Sequence, residues 1–207
     1  NKNIFTHDDS SVDLAVIPLV LDQNNADIMY CNDREFFKSE MDFDTSYIKE
    51  GTNLFYTGLF SPYLGYKRNS PITRFGKISL MPNEKIIFDT TEPKANLFLA
   101  ETTTFGGNSG SPVFAYGSDY KIDSHDPSDP INRKEQNHVP IYLVGLIKGY
   151  YDEKSFVQFD KTSMIKPTYS SNIGITAIIP SYLLYEILES KSLRSMRRNI
   201  NNKKSVK

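Results

Sequence analysis

The chain is 207 residues long, 39% apolar and 24% charged, with a formal net charge of −1. That composition supports a packed core, excludes a largely disordered chain and argues against a globally basic nucleic-acid binder. Cys31 is the single cysteine, so neither an intrachain disulfide nor a Cys-based metal site can form. It sits in a strand-like run and reads as a small buried apolar residue. No run approaches the ~20 apolar residues of a membrane-spanning helix, so no membrane span is expected. The sequence opens at Asn1 in polar surroundings without a signal peptide, which reads as a processed or truncated piece.

Tyr and Phe number 13 each, while Trp is absent, a balance that suits sheets. Runs rich in apolar, β-branched and aromatic residues predict strands over Val12 to Leu21, Asp27 to Cys31, Asn53 to Phe60, Thr73 to Leu80, Lys85 to Phe88 and Leu97 to Thr103. Four more follow over Pro112 to Tyr116, Pro140 to Ile147, Ser155 to Phe159 and Ile173 to Ile179. Loop markers such as Pro62, Gly65, Asn69-Ser70-Pro71, Pro82-Asn83 and Pro93 separate them. Gly117 to His138 is polar and reads as a surface insertion. Many short strands with little helix imply an all-β sandwich or barrel.

One helix is predicted from Ser181 to Ser190, with Ser181 as its cap and Leu183, Leu184, Ile187 and Leu188 on one apolar face. Beyond it, Lys191 to Lys207 holds seven basic residues (Lys191, Arg194, Arg197, Arg198, Lys203, Lys204 and Lys207) and few apolar ones. It reads as a solvated, frayed tail, with a tether to nucleic acid or anionic lipid as the alternative.

The most informative stretch is Thr102-Thr103-Thr104-Phe105-Gly106-Gly107-Asn108-Ser109-Gly110-Ser111-Pro112-Val113-Phe114. A strand ends, a glycine-rich turn follows and a second strand begins. Acyl transfer needs an exposed hydroxyl beside backbone N–H groups aimed at a developing oxyanion. Glycines around Ser109 permit backbone conformations that a Cβ would obstruct. The Gly107 and Ser109 N–H groups would form the oxyanion hole, and Gly110 would leave room for substrate. The plainer alternative is a hairpin loop, since Gly, Asn and Ser dominate turns.

Gly107 to Phe114 resembles the nucleophile motif of the trypsin-like (chymotrypsin-fold) serine peptidases, most closely the bacterial glutamyl endopeptidases and uncharacterised trypsin-like peptidase domains. Asn108 stands where many animal members carry an Asp that pairs with a freed amino terminus, so that activation is not implied. Ser11-Val12-Asp13-Leu14-Ala15-Val16 resembles the family's acid-bearing strand. Asp13 precedes Ser109 by 96 residues, in the family's chain order. The resemblance runs from about Phe5 to Glu189. It implies a double β-barrel with a C-terminal helix, the first barrel incomplete in this chain: residues 1–50 as its remainder, 51–190 as the second barrel and helix, and 191–207 as the basic tail.

It also implies a serine-type endopeptidase acting on peptide or protein substrates through an acyl-enzyme on Ser109, with Asp13 as the acid, no metal and no organic cofactor. The general base does not fit this pattern. The family's histidine lies a few tens of residues ahead of the acid, and only twelve residues precede Asp13. His7 belongs to the lead-in to the Asp13 strand, while His125 and His138 read as surface residues of the insertion. Loss of the histidine from a Ser-His-Asp triad has cost on the order of 10⁶ in turnover. Either a longer parent supplies the base, or the chain is an inactive protease-like scaffold that binds extended peptides.

Five further positions are matched to the family's substrate cleft. Thr103, six before Ser109, corresponds to the floor of the specificity pocket and is neutral, unlike trypsin's acid. Val144 to Gly149 resembles the strand that pairs with substrate, which brings in Ile147, Lys148 and Gly149. Glutamyl endopeptidases carry a His where Ile147 stands, so this departure counts against their route to glutamate specificity. Lys148 reads either as an attractant for acidic substrate or as mere surface. Gly174 matches the small residue that keeps the pocket open.

Overall fold

A computed structural model describes residues 4–19, 43, 48–60, 63, 65–67, 69–116, 141–156 and 168–204. Cys31, His125, His138, the Asp27 to Cys31 strand and the Gly117 to His138 insertion lie outside them. The described strands are β1 (Phe5–Thr6), β2 (Ala15–Val16), β3 (Asn53–Leu59), β4 (Pro71–Leu80), β5 (Phe98–Thr102), β6 (Pro112–Tyr116), β7 (Ile141–Phe156) and β8 (Thr168–Pro180). Two helices close the chain, α1 (Ser181–Leu188) and α2 (Lys191–Lys204). No described helix is long and apolar enough to cross a membrane.

β3, β4, β5, β8, β7 and β6 form a closed antiparallel barrel in that order, and β1 pairs with β2 as a separate two-stranded lap. Period-two alternation supplies the barrel core. Leu54, Tyr56, Ile78, Phe98, Ala100, Val113, Ala115, Val144, Ile147 and Ile178 bury together. β8 departs from alternation because both its faces are covered. Ile178 enters the barrel, while Ala177 and Ile179 join Val12, Ala95, Leu97 and Leu183 in a second cluster on the outside. Through Val12, the N-terminal lap shares a core with the barrel.

Several sequence expectations shift. Of the strand expected over Val12 to Leu21, the described part through Leu19 pairs only at Ala15–Val16, and Pro18 cannot donate to a ladder. Lys85 to Phe88 contributes only an isolated bridge, Ile86 with Ala95. The described parts of the strands expected at Pro140 to Ile147 and Ser155 to Phe159 are joined within the single 16-residue β7, because Tyr150 and Asp152 continue the ladder with β8 past two irregularities. Ser181 does not cap α1. Pro180 occupies that position and no side-chain cap bond forms, because the helix already begins at Ser181 itself. The expected frayed tail is helical over Lys191–Lys204. Leu193 buries at one side of it, and Arg194 and Arg197 both bind Glu189.

Candidate functional site

The loop between β5 and β6 is two turns in series. The Asn108 N–H donates to Phe105 O and the Ser111 N–H to Asn108 O. Gly107 at φ 93° and Gly110 at φ 82° hold left-handed conformations that a side chain rarely adopts. The loop is anchored to β7 by the Gly110 N–H on Ile147 O at 2.7 Å and by the Ile147 N–H on Ser111 O at 3.0 Å. Beneath it Asn108 is buried. Its Oδ1 has no hydrogen-bond partner and lies 2.7 Å from where a Cβ on Gly58 would stand. Gly58 of β3 therefore makes room for the underside of the loop.

Ser109 stays exposed, and its hydroxyl donates to the Lys148 carbonyl at 2.9 Å. Among the described residues, neither the Gly107 nor the Ser109 N–H has an acceptor. An exposed hydroxyl and two N–H donors lie in one short turn. These are two of the parts acyl transfer requires, a general base being the third.

Asp13 reaches the same residue from the other side. Its Oδ2 is 3.0 Å from Lys148 Nζ, and Glu92 Oε2 is 2.8 Å from that nitrogen. The Lys148 side chain is 5% exposed and its ammonium lies 5.2 Å from the Phe88 ring centroid. The expectation of a lone surface lysine is thus corrected: a bulge in β7 turns Lys148 under the lap, where two carboxylates hold it. Burial works against the charge, but hydrogen bonds and attraction from Glu92 and Asp13 outweigh it and raise the ammonium above the ordinary lysine range. It remains protonated near neutral pH and cannot serve Ser109 as a base. Asp13 and Ser109 are not bonded to each other; both terminate on Lys148. An open cleft of roughly 400 Å³, lined by Val12, Asp13, Glu92 and Lys148 among others, lies on the Asp13 side.

His7 is committed elsewhere. Its Nε2 lies 2.7 Å from Glu186 Oε2 of α1, and its Nδ1 accepts the Asp9 N–H at 2.9 Å. Accepting at Nδ1 leaves Nε2 as the protonated nitrogen, donating to Glu186. His7 thereby fastens the lap to the helix and makes no bond to Ser109. Lys85 adds a second fastening on Asp9 at 2.7 Å.

The remaining cleft positions separate into two kinds. Ile147 points into the barrel core, so its side chain cannot line a groove; its role is to hold the loop through its backbone. Thr103 is exposed and its carbonyl accepts the Tyr56 hydroxyl at 2.7 Å. Gly174 has φ 81° with open space where a Cβ would stand, so its backbone conformation, rather than crowding, favours glycine. Gly149 faces Phe88, and a Cβ added there would stand 2.6 Å from the ring. β7 pairs with β6 only as far as Leu146 but with β8 out to Phe156. From Lys148 onward its other edge has no described strand beside it.

Sequence reading did not single out Glu92, Phe88, Tyr56 or Arg74. Glu92 lies in irregular chain with no periodic signal, and Phe88 ends the short run read as a strand, which gives no hint of its ring's partners. Tyr56 and Arg74 were legible, because each has the inward parity of its strand. Among the described residues no three His, Cys, Asp or Glu side chains gather as a metal ion would need. No family model, curated protein or solved structure matches this chain.

Proposed function

We propose that this protein is a trypsin-like serine endopeptidase, its six-stranded barrel being the second barrel of a chymotrypsin-type pair. The observation that carries the reading is the Ser109 turn, with its exposed hydroxyl and the unaccepted N–H groups of Gly107 and Ser109. In this reading an extended peptide lies along the free edge of β7 from Lys148 outward and presents a carbonyl to Ser109. Oγ forms a bond to that carbon as its proton leaves for a base. The carbonyl oxygen takes the negative charge between the two N–H groups, and collapse expels the amine with that proton. Water then releases the acyl group by the same steps.

The base is a histidine expected ahead of Asp13, entering between the Asp13 carboxylate and Ser109 Oγ. It would take over the hydroxyl that Lys148 O now holds. A p-nitrophenyl ester burst assay on the protein as its cells make it tests the reading. One equivalent of nitrophenol per chain, abolished by Ser109→Ala, is expected. No burst, or a burst that survives the substitution, would overturn it.

A second reading is a peptide-binding scaffold that does not cut. It is favoured by the Ser109 hydrogen bond to the Lys148 carbonyl and the engagement of His7 with Glu186. It predicts peptide binding unaffected by Ser109→Ala and no burst.

A further inference from the structure

Arg74 has a charge that nothing described balances. It pairs across the ladder with Tyr56, so its side chain leaves β4 on the barrel-interior side shared by Tyr56, Gly76 and Ile78. Its guanidinium carbon lies 4.5 Å from the centroid of the Phe105 ring, in the same loop as Ser109. Its Nε is buried without a hydrogen-bond partner. No described carboxylate forms an ion pair with it. Among the described residues nearby, the Tyr56 hydroxyl is spent on Thr103 O, and Thr104 and Thr176 bond each other.

A half-buried guanidinium without an anion is an unfavourable arrangement unless an anion arrives. Nε is enclosed, but the terminal amino groups are not among the buried unpartnered atoms and the residue as a whole is only partly covered, which leaves those amino groups open to a ligand. Presented end-on, they match a carboxylate in a two-point hydrogen bond. Phe105 backs the plane by cation–π contact and ties the cation to the Ser109 loop.

We infer that Arg74 is a specificity residue that receives an acidic side chain of the peptide bound beside Ser109. The inference rests on the proposed function only for where the peptide lies. It assigns carboxylate recognition to β4, independently of the Ile147 position, where the side chain is buried core. The protein's net charge of −1 gives no general attraction for acidic peptides, so a preference for them has to be local.

The test is fluorescence anisotropy with a labelled alanine peptide carrying one central glutamate, against its glutamine twin. Binding of the glutamate peptide should be about tenfold tighter, as a charge-assisted pair gives. Arg74→Gln should erase the difference without changing affinity for the glutamine peptide, and Arg74→Lys should keep part of it. Ser109→Ala should leave the preference intact. Equal affinities for the two peptides, no binding of the glutamate peptide, or a preference that survives Arg74→Gln would overturn the inference. If Arg74→Gln does not fold by circular dichroism, the wild-type comparison and Arg74→Lys decide. A glutamate preference without an ester burst upholds this site and removes the peptidase reading. A burst without the preference does the reverse.

Discussion

Lys148→Met removes the charge that joins Asp13 to the barrel while keeping an apolar stem against Phe88. The two contacts are short, 3.0 Å and 2.8 Å, yet Asp13 is 74% and Glu92 43% exposed. Solvent therefore reduces each pair to about 0.5–1 kcal/mol. The carboxylate oxygens contacting one nitrogen lie within about 6 Å of each other, so losing the cation adds about 0.7 kcal/mol of repulsion in a water-like dielectric. Relief of the buried ammonium offsets part of this, which leaves a net loss of about 1–2 kcal/mol, or about 2–8 °C in Tm for a chain of this size.

The pH dependence has a fixed sign. The folded-state pKa of Lys148 is raised above 10.5, so the stabilisation is complete below that pH and disappears as the pH rises through the folded value. Buried Tyr56 and half-buried Tyr151, whose pKa values are also raised by desolvation, lower alkaline stability in both proteins alike. The quantity to follow by circular dichroism is therefore the Tm difference between wild type and variant. It should be constant at neutral pH and shrink as the pH passes 10.5. Equal Tm values at neutral pH, or a difference that persists undiminished in strong alkali, would refute the ion-pair reasoning.

Gly58→Ala would place a methyl 2.7 Å from Asn108 Oδ1 and 2.8 Å from Ser111 Oγ. The overpacking should cost about 1–3 kcal/mol in urea unfolding and lift the Ser109 loop, whereas Gly110→Ala, which meets nothing within 4 Å, should lose only the backbone term of about 1–2 kcal/mol. The Asp9 carboxylate is held well below the usual range, chiefly by its Lys85 hydrogen bond and then by the Ser11 N–H. Its contribution is present above pH 3.8 and lost as the pH falls toward the folded value, so Asp9→Asn should flatten the acid limb of the Tm profile; an unchanged limb would count against the Lys85 fastening. Leu193→Ala empties a buried position and should cost about 2–4 kcal/mol, with loss of α2 helicity by circular dichroism.

Much of the barrel could be read from period-two alternation. Leu54, Tyr56 and Gly58 alternate with exposed or half-buried neighbours along β3, and turn residues set most strand limits. The glycines around Ser109 announced the loop because left-handed turns require them. What alternation could not reveal was pairing over distance. Lys148 looks like an exposed residue in sequence, and only the β7 bulge and the approach of Asp13 and Glu92 bury it. His7 finds its partner 179 residues away in Glu186. The α2 segment reads as a polar tail because Leu193 is one of its few apolar anchors, and packing outside the segment decides its state. Arg74 was legible in parity but not in charge balance, which depends on every neighbouring strand.

The most direct measurement is peptide mapping by mass spectrometry after treatment of the protein, as its cells make it, with a fluorophosphonate. A single adduct on Ser109, absent from Ser109→Ala, is the expected result. No adduct, or an adduct on any other serine, would contradict the assignment of Ser109 as the nucleophile.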